Sequence, residues 1–162
     1  MSDKIRLLIV DDEVKFLQSI AQRLQMRGID VTTAVNGNEA LEKSRAQKFD
    51  LALLDLKMPG IDGRQVLEVL KKEHQWLEVI ILTGHGSIDS AVECTKLGAF
   101  DYLPKPYELD NLLQVLNKAY QARLTRKFES DQSRLEKISE LALGSSPLNV
   151  LRELRKLDNE EK

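Results

Sequence analysis

Short apolar runs alternate five times with segments of helical periodicity, and this alternation limits the chain to very few folds. The predicted strands cover residues 5–10, 30–34, 51–54, 79–82 and 101–103. Between them, apolar residues recur at spacings of three and four, which is typical of amphipathic helices. Alternating strands and helices predict a parallel sheet that carries helices on both faces.

Pro104 indicates which predicted strand lies at the edge of the sheet. Because proline lacks the N–H that an inner strand donates, the strand ending at Leu103 belongs at an edge of the sheet. The order 2-1-3-4-5 meets this requirement, and right-handed crossovers bring all strand C-termini to one edge. The predicted fold class is therefore α/β, a flavodoxin-like doubly wound five-stranded parallel sheet in the order 2-1-3-4-5 with a C-terminal helical extension.

Helical periodicity continues beyond this sheet, so we predict two regions, 1–121 and 122–162. The tail begins with roughly three heptads of an a/d pattern, which Asp131 interrupts at a d position. Gly144 ends this pattern, and Ser146-Pro147 is typical of the start of a further helix. We expect either a coiled coil that makes the chain a homodimer or a helix folded back on the first region. The a/d positions are Tyr120, Leu124, Phe128, Leu135, Ile138 and Ala142.

The composition excludes several classes of function. Charged residues make up 31% of the chain, but the net charge is only −2, which gives no basic groove for nucleic acid. One cysteine, Cys94, excludes an internal disulfide framework and is expected to be a small packed residue. The chain shows neither a secretory signal nor a run of about 18 apolar residues. These features predict a soluble, cytoplasmic protein without membrane contact.

Polar side chains stand where the predicted strands end. Asp11 and Asp12 follow the first strand, and Asp55 follows the third. Thr83 follows the fourth and Lys105 the fifth, so all five groups should meet at one edge of the sheet. Each alone has an ordinary explanation, such as a helix cap, a turn or a solvated charge. Their conjunction predicts a site for a divalent cation and a phosphoryl group.

The charges at this edge indicate which cation would bind. Three clustered carboxylates repel one another unless cations offset their charge. The Lys105 ammonium and a divalent cation would supply that offset. Ligation by oxygen alone favours Mg²⁺, whereas two histidines and one cysteine argue against zinc. His85, two residues after Thr83, is expected at the border of the site.

With their neighbours, these residues resemble the receiver domain of bacterial two-component response regulators. The resemblance covers residues 4–121, which assigns 1–121 as the receiver domain and 122–162 as a helical or coiled-coil tail. Residues 83–86 and 97–106 are most similar to receivers of the nitrogen-regulation subclass. The residues that carry the resemblance are Asp11-Asp12, Asp55, Met58-Pro59, Gly63, Thr83-Gly84, Tyr102 and Lys105-Pro106.

The resemblance implies how the acidic residues act. Asp55 would accept a phosphoryl group from a sensor histidine kinase or a phosphotransfer protein and form an aspartyl phosphate. Mg²⁺ would be held by Asp12, Asp55 and the backbone carbonyl of Lys57. Asp11 would be a further ligand, either directly or through water.

The resemblance also implies roles on the last two strands. Thr83 would hydrogen-bond a phosphoryl oxygen, and Lys105 would neutralise charge on the transferring group. A cis peptide at Lys105-Pro106 would aim the lysine. Thr83 and Tyr102 would form the switch that responds to phosphorylation.

These features favour a signalling switch without an effector domain, which works through protein contacts and catalyses only its own phosphorylation and dephosphorylation. One alternative is the N-terminal part of a longer transcriptional regulator. Another is a Mg²⁺-dependent phosphatase, but such enzymes use a second acid two residues after the nucleophile. That position holds Lys57. A third alternative, a dimerisation module that has lost signalling, conflicts with the intact set of polar residues.

Overall fold

The computed structural model describes residues 4–84, 88–129, 131–144 and 146–160 of the chain. The strands are β1 (Arg6–Val10), β2 (Asp30–Ala34), β3 (Leu51–Leu54), β4 (Glu78–Thr83) and β5 (Asp101–Pro104). The helices are α1 (Val14–Gln25), α2 (Gly37–Ala46), α3 (Gly63–Glu73), α4 (Ile88–Lys96), α5 (Leu109–Lys127), α6 (Gln132–Ala142) and α7 (Pro147–Glu160). None of the helices in these ranges has the length and apolar character needed to cross a membrane.

All five strands are parallel and lie in the order β2-β1-β3-β4-β5, which confirms the predicted fold class. β1, β3 and β4 are inner strands and are buried almost throughout. The register pairs Val10 with Leu54 and Leu54 with Ile81, so β1 and β3 end level and β4 extends two residues further, to Thr83. β5 is an edge strand that ends at Pro104. The loops after the inner strands therefore start from one edge of the sheet.

The apolar core forms one layer on each face of the sheet. Alternate side chains of a strand point to opposite faces. Leu7 and Ile9 of β1 accordingly pack with α1, α5 and α7, whereas Leu8 and Val10 pack with α2, α3 and α4. Cys94 of α4 is buried in the second layer, in agreement with its expected packing role.

The tail differs from the predicted continuous helix. α5 extends past residue 121, ends at Lys127, and is followed by a new helix, α6. Asp131 caps α6 by accepting the backbone N–H of Arg134 at 3.3 Å. The prediction that the fifth helix continues into a coiled coil is therefore wrong, because Asp131 begins a second helix instead of extending the first.

The side chains predicted to form a seam between two chains are instead used within one chain. Tyr120, Leu124, Phe128 and Ile138 are buried in the core layer that they share with α7. Of the six predicted seam positions, only Ala142 is exposed and Leu135 is half-buried, so the described residues leave no continuous apolar stripe there for the expected homodimer. The alternative expectation, a tail folded back on the first region, describes the arrangement that is observed.

A buried group of polar side chains attaches α7 to the sheet and to α5. We call it the tail cluster, and it consists of Asp50, Tyr120, Arg123, Arg155 and Asp158. Nη1 of Arg155 lies 3.0 Å from Asp50 Oδ1 and 3.2 Å from Asp158 Oδ2. The Tyr120 hydroxyl donates to Asp158 at 2.5 Å. This cluster was not predicted, because charged residues beside a narrow leucine stripe are typical of a solvent-exposed helix face.

Candidate functional site

The three aspartates predicted from strand ends come together at the C-terminal edge of the sheet. The backbone N–H of Asp55 donates to Val10 O at 3.0 Å, and that of Asp11 donates to Ala34 O at 3.1 Å, which fixes both residues to neighbouring strands. Asp11, Asp12 and Asp55 each place a carboxylate oxygen within 4.8 Å of the others. Asp11 and Asp55 are buried, whereas Asp12 is exposed. This arrangement offers several oxygen ligands to a cation that approaches from solvent.

Asp11 has two partners besides its neighbouring carboxylates. Its Oδ1 atom accepts the backbone N–H of Glu13 at 2.9 Å, so it also stabilises the turn into α1. Its Oδ2 atom lies 2.6 Å from Nζ of Lys105. The Lys105 ammonium is also 3.8 Å from the carboxylate of Glu13. The ordinary capping role and the site role of Asp11 are therefore compatible, since each uses a different oxygen.

Lys105 is positioned by its backbone and by an aromatic ring. Its N–H donates to Thr83 O at 3.0 Å, and the Lys105–Pro106 peptide bond is cis. The ammonium lies 4.0 Å from the ring centroid of Phe16, on α1. Tyr107 packs edge-on against the same ring, with centroids 6.1 Å apart. Phe16 was not predicted as a site residue, although an aromatic residue four positions after Asp12, on the first turn of α1, would indicate a ring close to the site.

The electrostatic environment of Asp55 opposes its charge. Burial raises the pKa of the Asp55 carboxyl above its ordinary value, and the neighbouring Asp11 carboxylate raises it further. The Thr83 hydroxyl and the Lys105 ammonium act in the opposite direction but do not outweigh burial. The backbone N–H of Lys57 also donates to Asp55 Oδ1, at 3.3 Å. A cation would therefore interact more favourably with this carboxylate than with a solvent-exposed one.

Gly63 lets α3 approach the backbone of the site. A Cβ atom at this position would lie 2.5 Å from the carbonyl oxygen of Asp55 and 2.6 Å from Cα of Leu56. The helix is fixed there by a capping box between Asp62 and Gln65. Close packing therefore requires a glycine here, which explains physically why Gly63 is among the residues that carry the resemblance to receiver domains.

The remaining predicted residues lie around this centre. Thr83 is fully buried at the end of β4, and Tyr102 is half-buried on β5, opposite Ile81. The Tyr102 hydroxyl is buried and has no hydrogen-bond partner within the described ranges. Gly84 is exposed, and a Cβ atom at this position would lie 3.8 Å from Cβ of Lys105. His85 lies outside the described residues.

A doubly wound sheet with acids, a threonine and a lysine at the ends of β1, β3, β4 and β5 defines a receiver of the two-component type. The family model described as "Response regulator receiver domain" matches residues 7–117, and the chain belongs to this family.

Similar proteins include an NtrC and an NtrX-like regulator. The chain is 39% identical over 111 residues to the DNA-binding transcriptional regulator NtrC of Klebsiella pneumoniae, a match that covers 68% of this chain and 24% of that protein. It is 34% identical over 146 residues to a putative NtrX-like response regulator of Rickettsia felis, covering 88% and 31%. The chain thus spans about a quarter to a third of the length of these relatives.

Solved structures show the same fold. A CheY-like receiver domain protein from Methanospirillum hungatei superposes with a TM-score of 0.73 at 32% identity, covering 76% of this chain and 98% of that one. NtrX from Brucella abortus in complex with ATP superposes with a TM-score of 0.73 at 32% identity, covering 78% and 29%.

Proposed function

We propose that Asp55 is the phosphoacceptor of a two-component signalling switch. The observation that carries this proposal is the convergence of three carboxylates and one ammonium at the end of the inner strands. Receiver domains of this family interact with sensor kinases or other phosphodonors. A sensor histidine kinase, or a phosphotransfer protein loaded by one, is therefore the proposed phosphoryl donor.

In the proposed reaction, a carboxylate oxygen of Asp55 attacks the phosphorus atom of a phosphohistidine. The O–P bond forms as the P–N bond breaks, and the electron pair of the broken bond returns to the imidazole. Lys105 and Thr83 hold the phosphoryl oxygens, over which the negative charge is spread during transfer. Lys57 occupies the position where a phosphatase would carry its general acid. The chain therefore acts only on its own phosphoryl group.

The acidic residues fit a Mg²⁺ ion. Asp11, Asp12 and Asp55 would hold it together with the backbone carbonyl of Lys57, and all of these donors are oxygen atoms. When bound, the ion offsets negative charge on the carboxylates and on the phosphoryl group. Lys105, already in contact with Asp11, contributes the remaining positive charge.

Thr83 and Tyr102 are the proposed switch residues. Thr83 hydrogen-bonds to Asp55 before phosphorylation. Phosphorylation adds about −1.5 to −2 charges beside it, which attracts the Thr83 hydroxyl toward the phosphoryl oxygens and leaves room for the Tyr102 ring to turn inward. Because the two packings differ in their contacts to the phosphoryl group, phosphorylation shifts the population between them.

The test is phosphorylation of the purified chain with acetyl phosphate, measured as a mass increase of one phosphoryl group. We expect wild type to be labelled only when Mg²⁺ is present, and Asp55→Asn to remain unlabelled. Asp110→Asn, an exposed change on α5, is the matched control and should be labelled like wild type. Labelling of Asp55→Asn, or undiminished labelling after Mg²⁺ removal by a chelator, would contradict the proposal.

The relatives favour a second candidate function, control of transcription, because the Klebsiella relative is named as a DNA-binding transcriptional regulator. In this proposal the receiver switch governs a transcriptional output. Comparing transcripts in cells that carry wild type or Asp55→Asn tests it: a defined set of genes should lose its response in the variant. Identical transcript profiles under the inducing condition would rule this output out.

A further inference from the structure

A second cleft lies at the opposite edge of the sheet, where the strands begin. It has a volume of about 330 Å³ and is bounded by β1, the segment before β3, the α3–β4 loop and α5. We call it the basic cleft, and its walls include Arg6, Lys48, His74, Trp76 and Arg123. The length of β3, at about 3.3 Å per residue, separates it from the aspartate site by roughly 15 Å.

Positive charge exceeds negative charge around the basic cleft. Four cations are paired with two buried carboxylates, and Lys48 on the cleft wall adds a fifth positive charge, which leaves a surplus of three positive charges. Glu73 also lines the cleft, but Arg45 neutralises it through two hydrogen bonds of 2.8 and 2.7 Å. A concave surface with surplus positive charge attracts small anions. The five cations are Arg6, Lys48, Arg123, Lys127 and Arg155, and the two carboxylates are Asp50 and Asp158.

Nitrogen atoms in these walls have unused hydrogen-bonding capacity. Nε of Arg6, Nε of Arg123 and Nε2 of His74 are buried and have no hydrogen-bond partner among the described residues. Arg123 is only 7% exposed, so solvent has little access to it. Leaving a buried polar group unpaired is unfavourable. The charge of these guanidinium groups, whose Nε atoms lack a described acceptor, would attract an anion into the cleft.

One wall of the basic cleft is aromatic. The Trp76 side chain is 36% exposed, and Phe49, which also lines the cleft, is half-buried. The guanidinium of Arg126 lies 5.5 Å from the Trp76 ring centroid and helps to hold the indole in place. A flat ring on a ligand can stack on such a surface. The cleft therefore combines anion-binding groups with a stacking platform.

We propose that the basic cleft binds a small organic phosphate that carries a planar ring, of which a nucleoside monophosphate is the simplest example. The phosphate oxygens accept hydrogen bonds from Arg6 and Lys48, Arg123 adds its positive charge, and the ring stacks on Trp76. The cleft volume of about 330 Å³ lies within the usual range for small-ligand sites. This binding does not depend on the phosphoacceptor function, because the two sites use different residues at opposite edges of the sheet.

The test is calorimetric titration of the whole chain with three probes: adenosine monophosphate, inorganic phosphate and adenosine. We expect saturable binding of adenosine monophosphate that is about tenfold tighter than that of either part alone, since ring stacking and charge act together. Trp76 is the single tryptophan of the chain, so its fluorescence should change with the same saturation curve. Adenosine monophosphate that binds no more tightly than inorganic phosphate would overturn the proposal.

Two variants separate charge from stacking. Lys48→Glu changes an exposed side chain, so the fold tolerates it, and should weaken binding of adenosine monophosphate by about tenfold or more. Lys118→Glu is the matched control, because it makes the same charge change at an exposed position of α5 outside the cleft. Trp76→Leu should reduce the affinity for adenosine monophosphate to that for inorganic phosphate. Equal weakening by Lys48→Glu and Lys118→Glu would refute a specific site.

Discussion

Asp158 connects the tail to the rest of the fold, and replacing it with asparagine should destabilise the whole chain. Its carboxylate is almost completely buried and accepts hydrogen bonds from Tyr120 at 2.5 Å, Lys127 at 2.6 Å and Arg155 at 3.2 Å. Breaking a buried ion pair costs about 3–5 kcal/mol, since the cations left behind stay desolvated. Asparagine keeps the shape of the side chain and one acceptor oxygen, and Arg155 retains Asp50 as a partner. We therefore expect a loss of about 3 kcal/mol in the free energy of unfolding.

The pH dependence of this loss identifies its cause. Burial alone would raise the pKa of Asp158, but the charge of Arg123 and the hydrogen bonds from Lys127 and Tyr120 outweigh it, so the pKa is lowered. A carboxyl whose pKa is lower in the folded than in the unfolded state stabilises the fold above its unfolded pKa of about 3.9. That stabilisation is lost as the pH falls through the folded pKa. The difference between wild type and Asp158→Asn should therefore shrink below about pH 4.

Equilibrium unfolding in urea measures this effect, with far-UV circular dichroism and Trp76 fluorescence as independent probes. At neutral pH the midpoint should fall by about 1–2 M for a typical dependence on urea of about 2 kcal/mol per M. Asp110→Asn, an exposed change on α5, should alter stability by less than about 0.5 kcal/mol. A loss below about 1 kcal/mol, or a difference from wild type that persists unchanged at low pH, would refute the assignment of the tail cluster as a stabilising ion network.

Three further predictions concern other parts of the chain. Gly63→Ala should cost about 1–3 kcal/mol in urea unfolding and slow phosphorylation, because the new methyl group would lie 2.5 Å from a backbone oxygen of the site. Gly144→Ala, with no described atom within 4 Å, should do neither. Phe16→Leu should slow phosphorylation by acetyl phosphate by about two- to thirtyfold, whereas Phe16→Trp should retain the rate, because an aromatic ring holds the Lys105 ammonium; equal rates for the two variants would contradict this role. Burial lowers the pKa of Lys71 from 10.5 to about 8, so the folded chain binds fewer protons than the unfolded chain between these values. Stability from this group should therefore rise with pH across that window in wild type, and Lys71→Met should remove the rise in urea unfolding at pH 7 to 10.

The fold was predictable because the alternation of strands and helices is recognised even when the predicted end of one element is wrong by a residue. β4 is an example, since it begins at Glu78, one residue before the predicted start. A charged glutamate just before an apolar run is typical of a loop, so it lies outside the predicted strand. In the folded chain Glu78 is buried and paired with Arg126, which lies 48 residues away and is not visible in the local pattern. Such long-range pairs shift the ends of elements without changing their order.

The tail was harder to predict because an apolar stripe shows that a helix face is buried but not what buries it. Leu124 and Ile138 fit an a/d seam between two chains and fit the intramolecular core equally well. The deciding residues are polar. Asp131 caps α6, Asp158 pairs with Tyr120 and Lys127 of α5, and Arg155 pairs with Asp50 beside the sheet. Their charges stabilise the fold only in a three-dimensional arrangement that sequence spacing does not reveal.

The candidate site was predictable in its acids and its lysine, because parallel strands bring their C-terminal ends to the same edge. Phe16 was not predictable in the same way. It belongs to a helix whose apolar pattern already explains an aromatic residue, so nothing in the local sequence points to Lys105. The contact of 4.0 Å between the Lys105 ammonium and the ring arises from the packing of α1 beside the loop after β5.

The two edges of the sheet carry opposite charge, and helix direction explains part of this difference. Helices that follow parallel strands begin at the aspartate edge and end at the opposite edge. Cations at helix C-termini are favourable, and α2 and α5 end with Lys43, Arg45, Arg126 and Lys127. Arg6 and Lys48 do not fit that explanation, because Arg6 begins β1 and Lys48 lies beyond the end of α2. Lys48→Glu therefore tests ligand binding in the basic cleft without removing a cation from the last turn of a helix.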